Sequence, residues 1–135
     1  MNQAGTMGVG VPLFVNGEGM RGGSVHHNIA EYPFLGPVHT AAKYRFYSVG
    51  DRFPALWPAT DGVSVVGELY DVPLTAIRDR FMPDEPPELE LGIIELLDGT
   101  AAIAVMLRRE THGSDCLTDI SHSGGWRRYR DESLR

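Results

Sequence analysis

Apolar and polar residues alternate along this chain in short runs that predict several strands and few helices. An apolar run at residues 11–15 ends in the glycine-rich stretch 16–23, which predicts a first strand followed by a sharply turning loop. β-branched and aromatic residues then predict a long strand over 37–49 and, after a segment held extended by prolines at 53–58, a further strand over 63–72. The first half of the chain is therefore predicted to be mainly β-structure.

The second half of the chain contains the clearest hairpin signal. Two β-rich runs, 89–97 and 100–107, flank Asp98-Gly99, a dipeptide that favours a tight turn between antiparallel strands. Ahead of them, apolar residues three and four positions apart predict a short helix over 73–82, with Pro73 at its first position. A helix and then a hairpin thus follow the central strands.

Two further helices are predicted from capping and from aromatic spacing. Ser24 can cap a helix over residues 25–31, since its hydroxyl can accept a backbone N–H of the first turn. Near the C-terminus, Trp126 and Tyr129 stand three positions apart among charged residues, which favours a short docked helix. With strands in the majority, these elements predict an α+β fold, in which a small, curled, barrel-like mixed sheet has short helices on its outside.

The length of the chain fits a single domain. Two independent cores within 135 residues would each bury too little apolar surface to be stable without disulfides or bound metals. We predict a flexible N-terminus over residues 1–10, one domain over 11–130 and a frayed tail over 131–135.

Composition and charge exclude several classes of function. A protein with a formal net charge of −6 lacks the basic surface that a nucleic-acid backbone needs, so no nucleic-acid partner is expected. No apolar run approaches the ~20 residues that span a bilayer, and residues 1–10 lack the pattern of a signal peptide, so we expect a cytoplasmic protein without a membrane segment. The single cysteine, Cys116, excludes an internal disulfide and a cysteine-based metal site.

Four stretches, in order along the chain, resemble a known family. Residues 14–22, Phe-Val-Asn-Gly-Glu-Gly-Met-Arg-Gly, are similar to the γ-glutamylcyclotransferase-like signature, in which an apolar strand precedes Tyr-Gly-Thr-Leu-Met-Arg-Gly. Residues 43–47, 91–99 and 119–129 resemble the Tyr-Arg-Leu-Tyr strand, the Leu-Gly-Ile-Gly-Thr-Val-Glu-Leu-Ala-Asp-Gly run and the closing motif of the allophanate hydrolase C-terminal domain. The chain therefore resembles the γ-glutamylcyclotransferase-like superfamily and, within it, the allophanate hydrolase C-terminal domain.

The resemblance implies that the loop after the first strand binds the substrate. In this family the loop presents backbone N–H groups to a carboxylate or an amide, and such a nest of donors suits an anionic group. Here Asn16 stands where the signature has tyrosine, and Gly19 where it has leucine. The candidate substrate-binding residues are Asn16, Gly17, Glu18, Gly19, Met20, Arg21, Tyr44, Arg45 and Trp126.

The last three of these candidates have a structural interpretation as well. The planar guanidinium of Arg45 suits a substrate carboxylate, but it is equally consistent with an exposed arginine on a strand. Tyr44 and Trp126 are candidates for ligand contact and also for aromatic residues of the core or its rim.

The resemblance also implies three candidate catalytic residues. The family's catalytic glutamate follows the helix after the 63–72 strand, and Glu85 and Glu88 compete for that position. The allophanate hydrolase domain has a histidine in a Leu-Asn-His-Gln-Leu segment, which matches residues 25–29 and selects His27. An imidazole there can protonate a departing nitrogen or stabilise a carboxylate, although an exposed histidine on a helix is an equally consistent interpretation.

No cofactor or metal is expected. His26 and His27 would point about 100° apart on a helix, so they rarely ligate one metal together. Glu31, four residues after His27, can orient the imidazole or form a surface pair with it.

We expect an enzyme that breaks down a small carboxylated amide or N-carboxy compound as a lyase or hydrolase, like the second-step domain of allophanate hydrolase. Two alternatives stay open. One is a γ-glutamyl cyclotransferase that releases 5-oxoproline, and the other is a non-catalytic subunit that docks on an amidase. The expected ligand is a small carboxylated amide, while an amidase and a second copy of the chain stay open as protein partners.

Overall fold

The apolar run near the start of the chain forms an inner strand of a mixed sheet in a computed structural model that describes residues 9–133. The strands are β1 (Gly10–Val15), β2 (Phe34–His39), β3 (Tyr44–Val49), β4 (Phe53–Pro58), β5 (Val66–Pro73), β6 (Leu89–Glu95), β7 (Ala101–Leu107) and β8 (Leu117–Asp119). Their order is β2-β5-β1-β7-β4-β3-β8, with β6 paired to the other edge of β7.

Short helical segments connect these strands. In chain order they are a 3₁₀ turn (His26–Asn28), α1 (Leu74–Ala76) with the π turn (Ile77–Phe81) and 3₁₀ turn (Met82–Asp84) that continue it, 3₁₀ turns at Arg109–Thr111 and Ser121–Ser123, and α2 (Trp126–Ser133). None of the helices within residues 9–133 is both long and apolar enough to cross a membrane. The predicted α+β fold, a curled mixed sheet with short helices, is confirmed.

The core lies against the sheet and is rich in aromatic side chains. Phe14, Phe46, Tyr70, Phe81 and Trp126 are all buried within one cluster. Burying a large apolar side chain contributes roughly 1.5–3 kcal/mol. Strands from both halves of the chain and two of the three predicted helices are therefore packed on a common core.

The hairpin and the helix are confirmed, but Pro73 is the last residue of β5 and directly precedes the helix, where the first helical position was predicted. β6 and β7 pair antiparallel around Asp98-Gly99, and Gly99 has the positive φ of 88° that such a turn requires. The helical segment 74–84 extends two residues beyond the predicted end, because it closes in a π turn and a 3₁₀ turn.

The long strand predicted over 37–49 is wrong, because the chain breaks into β2 and β3 at residues 40–43. The buried hydroxyl of Thr40 accepts the N–H of Val65 and donates to the carbonyl of Ala41. The N–H of Ala41 in turn donates to the carbonyl of Glu95. These bonds redirect the chain, so that β2 pairs with β5 whereas β3 pairs with β4 and β8.

The capped helix predicted over residues 25–31 is also wrong. Only His26–Asn28 forms a 3₁₀ turn, and no side chain caps it. Ser24 uses its backbone N–H to donate to the carboxylate of Glu18, and the side-chain amide of Asn28 donates to Asp84. The segment is therefore bonded to the glycine-rich loop and to the helical segment 74–84, which leaves it no room for further turns.

The chain ends differ in part from the prediction. The expected flexible N-terminus falls mainly on residues 1–8, which lie outside the described residues, and β1 begins at Gly10. Residues 131–133 are helical where fraying was predicted, because Arg128 pairs with Glu132 and Ser133 donates to a carbonyl within the last turn. Residues 134–135 lie outside the described part of the chain.

Two strands, β1 and β4, pair with the same edge of β7 and diverge from each other, which leaves space for a cavity between them. β6 occupies one edge of β7 along its whole length, so β1 and β4 must share the other edge. β1 pairs there with Ile103 and Ala104, and β4 pairs with Met106. The two strands therefore separate beside Val105, and the loop that follows β1 comes next to the start of β4.

One buried carboxylate connects the loop after β1 to the rest of the fold. Glu68 on β5 is the one fully buried charged side chain among residues 9–133. It accepts the N–H of Arg21 at 2.8 Å, the Arg21 side chain at 3.3 Å, the Tyr70 hydroxyl at 3.1 Å and the Arg127 guanidinium at 3.2 Å. Because Arg21 belongs to the loop and Arg127 to α2, Glu68 joins the loop, the sheet and the C-terminal helix.

These partners keep the carboxylate of Glu68 ionised. Burial raises the pKa of Glu68, but the hydrogen bonds from Arg21, Tyr70 and Arg127 outweigh burial and hold the pKa below its ordinary value. Burial and the bond to Glu68 raise the pKa of Tyr70 to about 12, so its hydroxyl remains a donor at neutral pH. The stabilisation by Glu68 is present above its unfolded-state pKa and is lost as pH falls through its lowered folded-state pKa.

We expect Glu68→Gln to lower the free energy of unfolding at pH 7 by roughly 1–2 kcal/mol, because the half-exposed Arg21 and Arg127 lose a charged hydrogen-bond acceptor. Urea denaturation followed by circular dichroism measures this change. The control is Glu110→Gln at an exposed position, which should stay within about 0.5 kcal/mol of the wild type. The difference should shrink once the pH falls below about 4.5, the ordinary pKa of the side chain, and an undiminished loss in acid would contradict the account.

Candidate functional site

A cavity of about 160 Å³ opens where β1 and β4 separate. One wall is the loop after β1, a second is the start of β4 with the turn before it, and a third is the end of the helical segment 74–84. The lining residues are Phe14, Val15, Asn16, Gly17, Glu18, Gly19, Ser24, Val25, Arg52, Phe53, Pro54, Phe81, Asp84, Glu85, Pro86, Leu89 and Val105. The lining therefore combines apolar side chains with charged groups.

Close approach explains the glycines at two positions of the loop. A Cβ at Gly17 would lie 2.5 Å from the ring of Pro54, which forms the opposite wall. A Cβ at Gly23 would lie 2.1 Å from the carbonyl oxygen of Glu18. The loop thus packs on itself and on β4 too tightly for any side chain at these positions.

Part of the loop has free backbone donors. The N–H groups of Met20, Arg21 and Gly23 donate within the fold. Within residues 9–133, by contrast, no acceptor is found for the N–H groups of Gly17, Glu18 and Gly19, which line the cavity. Successive free amides of this kind suit an anionic or carbonyl oxygen.

Glu18 connects the loop to the C-terminal helix. Its carboxylate accepts the indole N–H of Trp126 at 2.9 Å and the N–H of Ser24 at 3.1 Å, and Arg130 lies 3.7 Å away. Burial raises the pKa of Glu18, but the bonds from Trp126 and Ser24 and the charge of Arg130 hold it below its ordinary value. Glu18 is therefore ionised and already paired.

Glu85 is the carboxyl group of the cavity that is not paired. It directly follows the helical segment 74–84 and is half-buried. No side chain or amide among residues 9–133 donates to its carboxylate, and its neighbour Asp84 carries a negative charge. Burial, and then the charge of Asp84, raise the pKa of Glu85 to about 7. A group with this pKa can both donate and accept a proton near neutral pH.

Glu88 lies beside the cavity and is paired. Its Oε2 accepts the guanidinium of Arg52 at 3.0 Å, and its Oε1 is buried without a hydrogen-bond partner. Glu88 does not line the cavity, whereas Arg52 does. Of the two glutamates that compete for the catalytic position, the structure brings Glu85 to the cavity.

The structure places His27 outside the cavity. Its side chain is 69% exposed, and Nε2 lies 3.9 Å from the carboxylate of Asp84. His26 has a structural contact instead, because its Nδ1 donates to the carbonyl oxygen of Gly19 at 2.9 Å and its ring packs against Tyr70. The predicted proton-transfer role of His27 therefore has no support from its position.

Five other predicted substrate-binding residues lie away from the cavity lining. Met20 is buried in the core, and Arg21 pairs with Glu68 and lies over the ring of Phe34. The structure uses Tyr44 and Arg45 of β3 elsewhere, since the hydroxyl of Tyr44 accepts the N–H of Glu95 and Arg45 pairs with Asp119.

The fifth of these residues, Trp126, is buried and acts on the site indirectly. Its indole N–H is used by Glu18, so it fixes the loop from behind. The predicted residues that the cavity does bring together are Asn16, Gly17, Glu18, Gly19 and Glu85.

Two charged residues of the cavity were missed by the sequence analysis. Arg52 stands in the turn between β3 and β4, and Asp84 directly precedes Glu85. No local motif marks either of them, and Arg52 reaches the cavity only because β4 shares an edge of β7 with β1. In the described part of the chain, no group of three or more histidine, cysteine, aspartate or glutamate residues is placed to hold a metal ion.

Comparisons with known proteins agree with the fold and with the predicted resemblance. The model of the allophanate hydrolase C-terminal domain matches residues 11–131. The crystal structure of a uropathogenic E. coli-specific protein is 31% identical, with a TM-score of 0.80 over 90% of this chain and 95% of its own. A comparison with curated protein sequences finds no match.

Two more distant structures show the same fold. Allophanate hydrolase from Kluyveromyces lactis has a TM-score of 0.83 and 24% identity over 92% of this chain, which spans only 21% of the enzyme's length. An AIG2-like protein from Mus musculus has a TM-score of 0.60 and 20% identity over 81% of this chain and 82% of its own.

We expect Glu85→Gln to stabilise the protein above pH 7. The folded-state pKa of Glu85, about 7, exceeds its ordinary value of 4.5, so ionisation of Glu85 weakens folding as pH rises between these values. Differential scanning calorimetry at pH 5 and pH 8, both chosen around this window, should show a higher Tm for the variant at pH 8 and a much smaller difference at pH 5. Glu110→Gln serves as the control, and the same difference at both pH values would contradict a raised pKa.

Proposed function

Because the chain belongs to the allophanate hydrolase C-terminal domain family, we propose that it breaks down a small carboxylated amide by proton transfer through Glu85. One observation carries this proposal: a residue whose carboxyl group is unpaired and has a pKa of about 7 lines the same cavity as three loop residues with free backbone amides. A proton-transfer group and an anion-binding wall are the two parts that such a reaction needs.

In the proposed reaction Glu85 acts as an acid toward an N-carboxy compound. The protonated carboxyl gives its proton to the nitrogen as the bond between nitrogen and the carboxylate carbon breaks. The electron pair of that bond stays on the nitrogen, and the carboxylate leaves as CO2. The products are CO2 and an amide or carbamate with a restored N–H, and Glu85 regains its proton from water.

The loop contributes by binding an oxygen of the substrate. The N–H groups of Gly17, Glu18 and Gly19 lie along the cavity and lack acceptors within the described residues. Donors fixed in advance stabilise a negative oxygen without reorganisation, which is worth about 3 kcal/mol for a single donor in well-studied sites. Glu68 and Glu18 fix this loop from the side away from the cavity.

The same carboxyl group supports a second candidate, a γ-glutamyl cyclotransferase that releases 5-oxoproline. There Glu85 would act as a base, removing a proton from an α-amine as its nitrogen attacks the γ-carbonyl carbon. Glu85 would then give this proton to the departing amine nitrogen as the bond between that nitrogen and the γ-carbonyl carbon breaks. The half-buried, unpaired state of Glu85 fits a base as well as an acid. The two reactions differ in which protonation state of Glu85 is active.

A non-catalytic subunit is the third candidate. This chain corresponds to only 21% of the length of the Kluyveromyces lactis enzyme, so a function beside a separate amidase is compatible with its size. If the chain is such a subunit, it should co-purify with an amidase. By itself it should release neither CO2 from an N-carboxy compound nor 5-oxoproline from a γ-glutamyl compound.

The dependence of rate on pH distinguishes acid from base. With an N-carboxy compound generated in situ by an amidase, kcat/KM for CO2 release should fall as pH rises through about 7, because the protonated Glu85 is lost. For 5-oxoproline release from γ-glutamyl compounds, kcat/KM should instead rise through the same pH. The range from about pH 5 to about pH 9 extends well to either side of the pKa of Glu85. If kcat/KM does not change over this range, Glu85 has no proton-transfer role in either reaction.

Two variants separate the candidate catalytic residues. Glu85→Gln should reduce kcat roughly 10²–10⁴-fold, the usual range for a general acid or base. His27→Ala should retain activity within about threefold, because the side chain is exposed outside the cavity. Loss of activity in His27→Ala with retention in Glu85→Gln would reverse the assignment.

A further inference from the structure

We propose that Arg52 binds the carboxylate of the substrate, and that Arg52 forms an ion pair with Glu88 when no substrate is bound. This inference rests on the proposed function, because it concerns the same cavity and the same class of anionic amide. It assigns Arg52 as the residue that makes the cavity specific for a carboxylated ligand.

The charges around the cavity require a cation for an anionic ligand. Among its lining residues in the described chain, Glu18, Asp84 and Glu85 are acidic and only Arg52 is basic. Two of these acids are already paired, since Glu18 accepts from Trp126 and Asp84 accepts the amide of Asn28 at 2.8 Å. Backbone amides supply only partial positive charge, so a full carboxylate in this cavity depends on Arg52.

Most N–H groups of the Arg52 guanidinium are not hydrogen-bonded within residues 9–133. One of its terminal nitrogens donates to Glu88 Oε2 at 3.0 Å, and its remaining N–H groups have no acceptor within residues 9–133. Its Cζ lies 4.9 Å from the ring centre of Phe53, which lines the cavity. The side chain is 59% exposed, which leaves it room to turn toward a ligand. A planar guanidinium in this position suits two-point binding of a carboxylate.

The way in which Glu88 pairs with Arg52 allows a substrate carboxylate to replace Glu88. Only one of its oxygens pairs with Arg52, and the other is buried without a hydrogen-bond partner. The Arg52 side of this pair is 59% exposed, and ion pairs that are open to solvent are worth about 0–1 kcal/mol. A substrate carboxylate that also binds the loop amides can therefore displace Glu88 from Arg52.

The backbone that carries Arg52 is fixed in advance. The turn between β3 and β4 contains Gly50 and Asp51, both with positive φ near 58°, and Asp51 is a non-glycine residue in this region. Its carboxylate accepts the Tyr129 hydroxyl of α2 at 2.6 Å and the hydroxyl of Ser48 at 2.8 Å. Positive φ is common in tight turns between antiparallel strands, and the side-chain bonds from two elements fix the backbone from which Arg52 extends.

Malonate is a suitable probe for this inference. Its two carboxylates stand one atom apart, as the carbonyl groups of an N-carboxylated amide do, and it lacks the nitrogen that Glu85 would protonate. Titration calorimetry should show millimolar or tighter binding of malonate to the wild type, weakened about tenfold or more in Arg52→Met. Arg78→Met removes the same charge from an exposed residue that does not line the cavity and should leave the affinity unchanged.

Glu88→Gln should have the opposite effect to Arg52→Met. Removing the competing carboxylate should strengthen malonate binding by about twofold to fivefold. With substrate, Arg52→Met should raise KM, because the substrate carboxylate loses its counter-charge in the cavity. Malonate binding that is absent from the wild type, equal in Arg52→Met or equally weakened in Arg78→Met would overturn the inference.

The failure of this inference can be distinguished from failure of the proposed function. Malonate binding that depends on Arg52 without any CO2 or 5-oxoproline release would support the anion site and refute the reactions. Turnover that depends on Glu85 with malonate binding unchanged in Arg52→Met would support the reaction and refute the role of Arg52.

Discussion

The buried carboxylate of Glu68 is the interaction on which the site depends. Its four hydrogen bonds come from the glycine-rich loop, from β5 and from α2, so three segments far apart in sequence meet on one group. A buried charge is stable only when it is paired and fully hydrogen-bonded, and Glu68 satisfies both conditions. Glu18 adds a second connection between the same loop and Trp126. The C-terminal helix thus supports the wall of a cavity that it does not line.

The cavity itself contains the groups that are not satisfied. The amides of Gly17, Glu18 and Gly19 have no acceptor within the described residues, Glu85 is half-buried without a donor, and Arg52 uses only part of its guanidinium. Groups of this kind lower the stability of the folded state unless a ligand completes them. Glu68 and Glu18, which are fully paired, hold the backbone on which these unsatisfied groups stand. The carboxylates that hold the loop, Glu68 and Glu18, are therefore different from Glu85, the carboxyl group proposed to transfer the proton.

Local sequence signals predicted much of the fold but little of the site. The Asp98-Gly99 turn and the apolar spacing after Pro73 are short-range signals, and both elements are confirmed. The strand over 37–49 was wrong because Thr40 bonds to Val65, a partner 25 positions away that no local pattern reveals. Arg52 was missed for a similar reason, since its place depends on two strands that share an edge of β7. The choice between Glu85 and Glu88 likewise needed three-dimensional surroundings.

The central claim is that Glu85 is a proton-transfer group because the cavity raises its pKa. The most direct measurement is a titration of the side-chain carboxyl carbons by ¹³C NMR in the unliganded protein, with Glu85→Gln used to assign the signal. We expect a midpoint of about 7 for Glu85. A midpoint near 4.5, the ordinary value for a glutamate, would contradict it.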